Sequence, residues 1–308
     1  MNAKDLQDTY EEKITKKNQA SPFQKATTTN RRIKLFLWGD SGVGKTTLAL
    51  QFPSPVVIDL EKGTELYGEH FDFHRMTPET SDQVAEAVTW LLSNDHEYKT
   101  LIIDPITIHW EALQKKWSDI YLARNKSSKG YKYEFYDFQP KDWMTLKAEF
   151  KSFLRKLIAL DMNVIVTARE KTKYKEGQYM QAIGETFDGE KSLPYLFDTI
   201  VRLYIKDGKH MGHILKDRSN KLPRTDFECS YVTIKKCFGE SLEKQATKTE
   251  YITGEERKKI EHYLQVLQLP AEFVASRLAD YGAESIDDLT SENAKIIINK
   301  LEASLENK

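Results

Sequence analysis

The 308-residue sequence is poor in cysteine and lacks long apolar runs. Its two cysteines, Cys229 and Cys237, form neither a CxxC pair nor a disulfide framework, which indicates a reducing compartment. No stretch approaches the roughly 18 consecutive apolar residues that a membrane-spanning helix needs. The first residues are too polar for a secretory signal. We therefore expect a cytoplasmic protein with no membrane partner.

Net charge is also nearly absent, because 46 Lys and Arg oppose 47 Asp and Glu. Taken as an average, this balance argues against a nucleic-acid partner. The charges are segregated along the chain, however. Residues 124–175 hold 13 basic against 6 acidic residues, residues 202–224 hold 7 against 2, and residues 255–308 hold 7 against 11. The neutral total therefore describes a basic core followed by an acidic tail.

Short apolar runs alternate with helical patterns through the first two thirds of the chain. The runs are IKLFLW, PVVIDL, TLIID, NVIVTA and TIVRLYI, which begin at residues 33, 55, 100, 163 and 199. Continuous apolar runs of this length are typical of strands buried on both faces. Helical patterns between such strands predict crossover connections. The predicted fold is therefore α/β with a mostly parallel sheet.

The pattern changes after Arg202. HMGHILKD and the segment Ser230 to Ile234 predict short antiparallel strands at one edge of the sheet. A weakly periodic stretch follows, and then three helical patterns, with Thr290 as a candidate N-cap. We predict a polar N-terminal tail or short helix at 1–30, a large α/β domain at 31–240, a linker at 241–254 and a C-terminal helical module at 255–308.

A phosphate-binding loop is the strongest motif in the chain. GDSGVGKT fits GxxxxGK[ST] in full, and it lies directly after a strand and before a helical segment. Glycines allow the backbone to wrap a phosphate, and the helix N-terminus supplies N–H donors. The alternative is a chance match in a Gly-rich loop. We predict an ATP site, in which Lys45 reaches the β- and γ-phosphates and Thr46 ligates Mg²⁺, formed by Gly39, Asp40, Ser41, Gly42, Val43, Gly44, Lys45, Thr46 and Thr47.

Two acids follow other predicted strands. Asp104 closes TLIID in the manner of a metal-holding carboxylate, although an ordinary strand-terminal cap has the same pattern. Glu61 follows PVVIDL and is predicted to face the nucleotide from the strand next to the phosphate loop, as the base for water; the alternative is a surface acid. No [NT]KxD motif follows a strand, which argues against a GTPase, whereas a small-molecule kinase has the same phosphate loop.

A basic and aromatic segment follows the predicted metal-binding strand and its helix. Cations that track a phosphate backbone, with aromatic rings on which bases stack, are typical of single-strand binding. The alternative is that the rings pack beneath a loop and the lysines are solvated. The 172–190 loop, with three glycines, is a second candidate. The predicted nucleic-acid contacts are Lys126, Lys129, Tyr131, Lys132 and Tyr133.

The ordered set GDSGVGKT, VVIDLEKGTE, TLIID, NVIVTARE and KDRSNKLP resembles the RecA-like core ATPases that bacteriophages carry for single-strand annealing and recombination. The resemblance covers roughly residues 31–225 and implies a RecA-like core. It implies Glu61 as the catalytic base and a polar sensor at the end of the fourth core strand, where Thr167 and Arg169 stand. Lys216 and Arg218 are similar to a K-x-R element that reaches a neighbouring subunit's nucleotide, and the alternative is a salt bridge or a phosphate contact within one subunit.

The function that we expect is Mg²⁺-dependent ATP hydrolysis by an oligomeric ring or filament acting on single-stranded DNA. The C-terminal module is then a candidate docking site for a single-strand-binding protein or a recombinase. Two other functions fit the same motifs. One is a phosphotransferase with a small-molecule substrate, and the other is a nucleotide-gated adaptor with little turnover.

Overall fold

The computed structural model describes residues 32–125, 138–175, 181–246, 251–281, 283 and 285–306. The described residues belong to one compact unit. The predicted N-terminal tail at 1–30 and the predicted nucleic-acid contacts between Lys126 and Tyr133 lie outside the described residues. The fold and the site are therefore derived from the remaining parts of the chain.

A single sheet organises the unit and contains nine strands within the described residues. The strand order across the sheet is β3-β2-β4-β5-β1-β7-β8-β9, and β6 pairs with the extension of β5. The strands are β1 (Lys34–Gly39), β2 (Pro55–Asp59), β3 (His74–Met76), β4 (Thr100–Asp104), β5 (Asn163–Tyr174), β6 (Ala182–Phe187), β7 (Thr199–Lys206), β8 (Lys209–Asp217) and β9 (Phe227–Glu228).

The six strands from β3 to β7 in this order pair in parallel, whereas β6, β8 and β9 pair antiparallel. This arrangement confirms the predicted α/β fold with a mostly parallel sheet.

The helices are α1 (Lys45–Leu50), α2 (Ser81–Ser93), α3 (Ile106–Asn125), α4 (Pro140–Ala159), α5 (Leu193–Leu196), α6 (Tyr231–Phe238), α7 (Gly254–Leu267), α8 (Ala271–Ala279) and α9 (Ser291–Glu306).

Strand β1 pairs with β5 on one side and β7 on the other, and all six of its residues are buried. Because successive side chains point to opposite faces, β1 contributes to two apolar clusters. Phe36 and Trp38 join the cluster that includes α2 and α4, and Leu35 and Leu37 join the cluster that includes α1 and α6. Burial on both faces explains why this strand has a continuous apolar sequence rather than an alternating one.

Two local predictions after β5 are wrong. Part of the predicted 172–190 loop forms an antiparallel arm, because β5 continues to Tyr174 and pairs with β6. The predicted strand at Ser230 to Ile234 is the start of helix α6. Ser230 caps this helix by accepting from the Thr233 backbone N–H, and Ile234 and Phe238 are buried one turn apart. The β-branched residues there favour a strand, but the cap and the apolar spacing favour the helix.

The last three helices pack around a separate apolar cluster that includes Ile260, Leu289 and Ile298. Thr290 accepts from the Asn293 backbone N–H at 3.2 Å, so its predicted capping bond is present. The module also contacts the larger domain, because Ser152 of α4 donates to Asp288 at 3.0 Å. The boundaries that we predicted at 240 and 254 remain predictions.

Candidate nucleotide site

The carboxyl ends of the parallel strands bring the predicted site residues to one edge of the sheet. Gly39 at the end of β1 is the register partner of Arg169 on β5, and Asp59 at the end of β2 is the partner of Asp104 at the end of β4. Ligands of open parallel sheets bind at this edge, where the strand order reverses. The edge next to β1 is therefore the candidate site.

The phosphate loop joins β1 to α1. Lys45 lies over its own loop and donates to the carbonyl oxygens of Gly39 at 2.8 Å and Asp40 at 2.7 Å. Burial lowers the pKa of the Lys45 ammonium, while the carboxylates of Asp104 and Glu61 act in the opposite direction. Gly44 precedes α1 with φ +89°, a conformation that glycine adopts without strain. The loop thus presents a lysine and a helix N-terminus, the elements of a phosphate site.

Thr46 and Asp104 meet as the motif predicts. The Thr46 hydroxyl donates to Asp104 Oδ2 at 2.6 Å, and the Thr167 hydroxyl donates to the other oxygen, Oδ1. Asp104 is buried, and this burial raises the pKa of its carboxyl group. A hydroxyl and a carboxylate oxygen in contact, directly below the phosphate loop, form a donor set of the kind that Mg²⁺ prefers.

Glu61 lies at the same edge, but the strand before it is not the neighbour of β1. Strands β4 and β5 separate β2 from β1, so the predicted adjacency is wrong. Glu61 is connected to the loop region by Arg169, whose Nη2 and Nε lie 2.6 Å and 2.7 Å from Glu61 Oε1. The predicted sensor residues therefore contact the two predicted acids directly. Thr167 contacts Asp104, and Arg169 contacts Glu61.

Two further charged groups at this edge were not predicted. Asp59 is buried and accepts from the backbone N–H of Gly63 and Thr64, so it shapes the loop that carries Glu61. Arg202 donates to Glu170 at 2.9 and 3.2 Å, and its guanidinium lies 5.5 Å from the Trp38 ring. The sequence feature that could have indicated the pair of Arg202 and Glu170 is an arginine inside the otherwise apolar run TIVRLYI.

Lys216 and Arg218 lie at the opposite edge of the sheet. Lys216 donates to the Pro194 carbonyl at 2.7 Å, and Arg218 forms an ion pair with Asp198 at 3.2 Å. Strand β8 runs antiparallel to β7, so six residues separate Lys216 from the end of β8 near the phosphate loop. At ~3.3 Å per residue the separation is about 20 Å. The pair therefore does not reach its own chain's phosphate loop, and its role in a neighbour's site remains a prediction.

The antiparallel arm of β5 and β6 extends beyond the candidate site. Lys171, Lys173 and Lys175 are exposed along it, and Lys171 forms an ion pair with Asp188 at 2.6 Å. Tyr174 on the same arm is half exposed. The β5 part of this arm is the end of the basic stretch 124–175 that the sequence shows.

Other kinds of site receive no support within the described residues. No group of three or more His, Cys, Asp or Glu side chains there could hold a metal ion by itself. The neighbouring histidines of β8 diverge, because His213 contacts Asp226 whereas His210 contacts Val43. None of the helices described combines the length and the apolar content that crossing a bilayer requires.

Comparisons with known proteins bear on this geometry. No curated protein sequence matches the chain. The crystal structure of the RadB recombinase is similar over 60% of this chain and 80% of that one, with 18% identity and a TM-score of 0.36. The AAA domain family AAA_24 matches residues 31–222, which is more than half of the chain and includes every residue of the phosphate loop. The chain therefore belongs to the AAA domain family AAA_24.

Proposed function

We propose that this chain is a Mg²⁺-dependent ATPase that acts on single-stranded DNA as an oligomer. The observation that carries the proposal is the contact between Thr46 and Asp104 directly beside Lys45 at the phosphate loop. This is the residue set that P-loop ATPases use to hold a nucleotide and its metal. The resemblance to recombination ATPases of bacteriophages would place the protein in a bacterial host's cytoplasm.

Each residue at the site has a role that its contacts allow. Lys45 exchanges its two loop carbonyls for phosphate oxygens, since its ammonium can donate to either. Thr46 and Asp104 fit Mg²⁺ as oxygen ligands. A bound Mg²⁺ would neutralise charge on the phosphates. The loop backbone and α1 then orient the phosphates.

Glu61 is the acid that we assign to the attacking water. Arg169 contacts Oε1 of Glu61 through two nitrogens, and we assign the second oxygen, Oε2, to the water. A carboxylate of this kind accepts the proton of a water molecule as it attacks phosphorus. Thr167 orients Asp104, and Arg169 orients Glu61, so two residues of β5 position both acids.

The charge distribution supports DNA as the partner. The exposed lysines of the β5–β6 arm lie at the same edge as the nucleotide site and follow Arg169 along the chain. Neutralising phosphates with such lysines releases counterions, so binding of this kind weakens steeply with salt. The arm therefore offers a path by which DNA contact would affect Glu61.

The experiment compares ATPase rates with and without single-stranded DNA, at about 50 mM and 200 mM salt. We expect DNA to stimulate turnover several-fold at low salt and less at high salt, with Lys45→Ala inactive throughout. Turnover that ignores DNA and requires a small acceptor would identify a phosphotransferase. Binding of ATP with negligible turnover under all conditions would identify an adaptor.

A specific feature favours a docking role for the C-terminal module beside the ATPase activity. An apolar cleft of about 530 Å³ opens between its helices, with Phe273 and Leu267 in its wall and Arg277 and Lys300 beside them. We assign this cleft to a single-strand-binding protein or a recombinase. Phe273→Asp should abolish binding of such a purified partner in a fluorescence-anisotropy titration and leave the ATPase rate unchanged.

A further inference from the structure

A histidine that belongs to no predicted motif packs against the phosphate loop. His210 lies at the start of β8, and its Nδ1 is 3.0 Å from the carbonyl oxygen of Val43. A carbonyl oxygen only accepts hydrogen bonds, so Nδ1 must carry the proton and donate. The same ring is close to Gly44, because its Nδ1 and Cε1 lie 3.1 and 3.2 Å from the position that a Cβ on Gly44 would occupy.

The backbone that carries His210 is held in place. The Cys229 backbone N–H on the β9 side donates to the His210 carbonyl at 2.9 Å, and Lys209 forms an ion pair with Glu228 at 3.1 Å. The other strand of the hairpin packs against the start of the loop, where the Leu203 carbonyl oxygen lies 2.3 Å from the Cβ position of Gly39. The β7–β8 hairpin therefore contacts both ends of the phosphate loop.

The contact determines which way one peptide group of the loop points. In a trans peptide the carbonyl and the following N–H point in opposite directions. The Val43 carbonyl points toward His210, so the Gly44 N–H points away from the hairpin. Phosphate loops bind anions with such N–H groups, and a reversed peptide would present a carbonyl oxygen instead.

Gly44 makes this peptide easy to reverse. Its φ of +89° lies in a region that glycine samples freely, so local backbone preference does not hold the orientation. A hydrogen bond from outside the loop supplies the missing restraint. We propose that His210 is a positioning residue for nucleotide binding, which keeps the Val43–Gly44 peptide oriented for the phosphates; this rests on the proposed ATP site.

The test uses variants that separate the two ring nitrogens. In His210→Asn the amide nitrogen takes the place of Nδ1 and can still donate, whereas His210→Gln places its amide near Nε2. Losing the bond in His210→Ala should weaken binding of a fluorescent ADP analogue about fivefold, the equivalent of one ordinary hydrogen bond. We expect His210→Asn to bind within about twofold of the unaltered chain and His210→Gln to resemble His210→Ala.

The matched control is His213→Ala on the same strand, since His213 contacts Asp226 rather than the loop. Its affinity should not change, and thermal unfolding without nucleotide should show that each variant is folded. Equal affinity in His210→Ala, or equal rescue by Asn and Gln, would overturn the proposal. If the unaltered chain and Lys45→Ala both fail to bind the analogue, the ATP site itself is wrong, which is a different result.

Discussion

Arg169 holds Glu61 by two nitrogens on a single oxygen, with Nη2 at 2.6 Å and Nε at 2.7 Å from Oε1. The two residues are 108 positions apart in the chain. They meet because β5 lies between β1 and β4, which places Arg169 level with Gly39 at the start of the phosphate loop and within reach of the loop after β2. The pair thus couples the candidate base to the strand beside the nucleotide.

Glu61→Gln should retain nucleotide binding and lose at least about a hundredfold in turnover, because an amide cannot accept the proton of water. The measurements are the dissociation constant of an ADP analogue and the steady-state ATPase rate. Glu65→Gln is the matched control, since Glu65 is an exposed acid in the same segment that pairs with Arg75. Hydrolysis at the unaltered rate in Glu61→Gln would show that the base is another group.

Arg169→Ala should lower kcat about tenfold and change the KM for ATP less than threefold, because Glu61 loses its orienting contact while the phosphate site is untouched. Arg169→Lys should recover part of the rate, since one amine can keep one of the two contacts. Lys171→Ala, two residues further along β5 and paired with Asp188, serves as the control when all rates are measured without DNA. A change in KM without a change in kcat would contradict the orienting role.

Asp104→Asn should abolish Mg²⁺-dependent turnover without destabilising the nucleotide-free protein. Burial raises the pKa of Asp104 in the folded state, so its charged form costs stability above the unfolded pKa and costs nothing at lower pH. The variant should therefore be as stable as the unaltered chain at pH 7.5 or more stable, with the difference vanishing in acid. Urea unfolding without Mg²⁺ at several pH values measures this.

Asp59→Asn is the contrasting variant, because Asp59 is also buried at the end of a strand but accepts two backbone N–H groups. We expect it to lose about 1–2 kcal/mol of stability.

In the unaltered chain the apparent affinity for Mg²⁺ should also fall as the pH drops through the raised pKa of Asp104, since the protonated acid is a poor ligand. A loss of stability in Asp104→Asn at pH 7.5 would mean that its carboxylate is structural.

The resemblance implies that Lys216 and Arg218 act on a neighbour's nucleotide, and about 20 Å of β8 separates them from their own phosphate loop. Arg218→Ala retains the nucleotide site and lacks the cation, whereas Lys45→Ala lacks the site and retains the cation. Mixing the two inactive variants should restore measurable ATPase activity in the assembled oligomer. A mixture that assembles and stays inactive would assign Arg218 to its ion pair with Asp198.

His109 should make the fold sensitive to acid. It is buried beside Phe153, with ring centroids 4.3 Å apart, and burial lowers the pKa of its imidazole to about 4. Between the ordinary value near 6.5 and about 4, the unfolded chain takes up a proton that the folded chain does not, so stability falls as the pH falls. This single group accounts for about 3 kcal/mol at most.

His109→Leu should remove that part of the pH dependence, measured as the difference in unfolding free energy between pH 7 and pH 4.5. The control is the same substitution at an exposed histidine, His70→Leu. Equal acid sensitivity in His109→Leu and the unaltered chain would show that other groups cause the loss of stability.

The sequence alone determined the features that are local in the chain. The phosphate loop, the strand before it and the helix after it lie within about twenty residues, and Asp104 is identified by the apolar run that it ends. The alternation of strands and helices predicted the parallel sheet for the same reason, because burial on both faces requires apolar residues at every position of a strand. The helical cluster after residue 254 has the same local origin.

The tertiary structure alone decided which strands are neighbours and what lies at each edge of the sheet. Strand order placed Thr167 on Asp104 and Arg169 on Glu61, separated β2 from β1, and put Lys216 far from its own phosphate loop while His210 touches it. Those pairings depend on how distant segments pack together. Hydrophobic periodicity predicts only which face of an element is buried and how long the element is. The contacts that orient the site therefore exist only once the sheet has assembled.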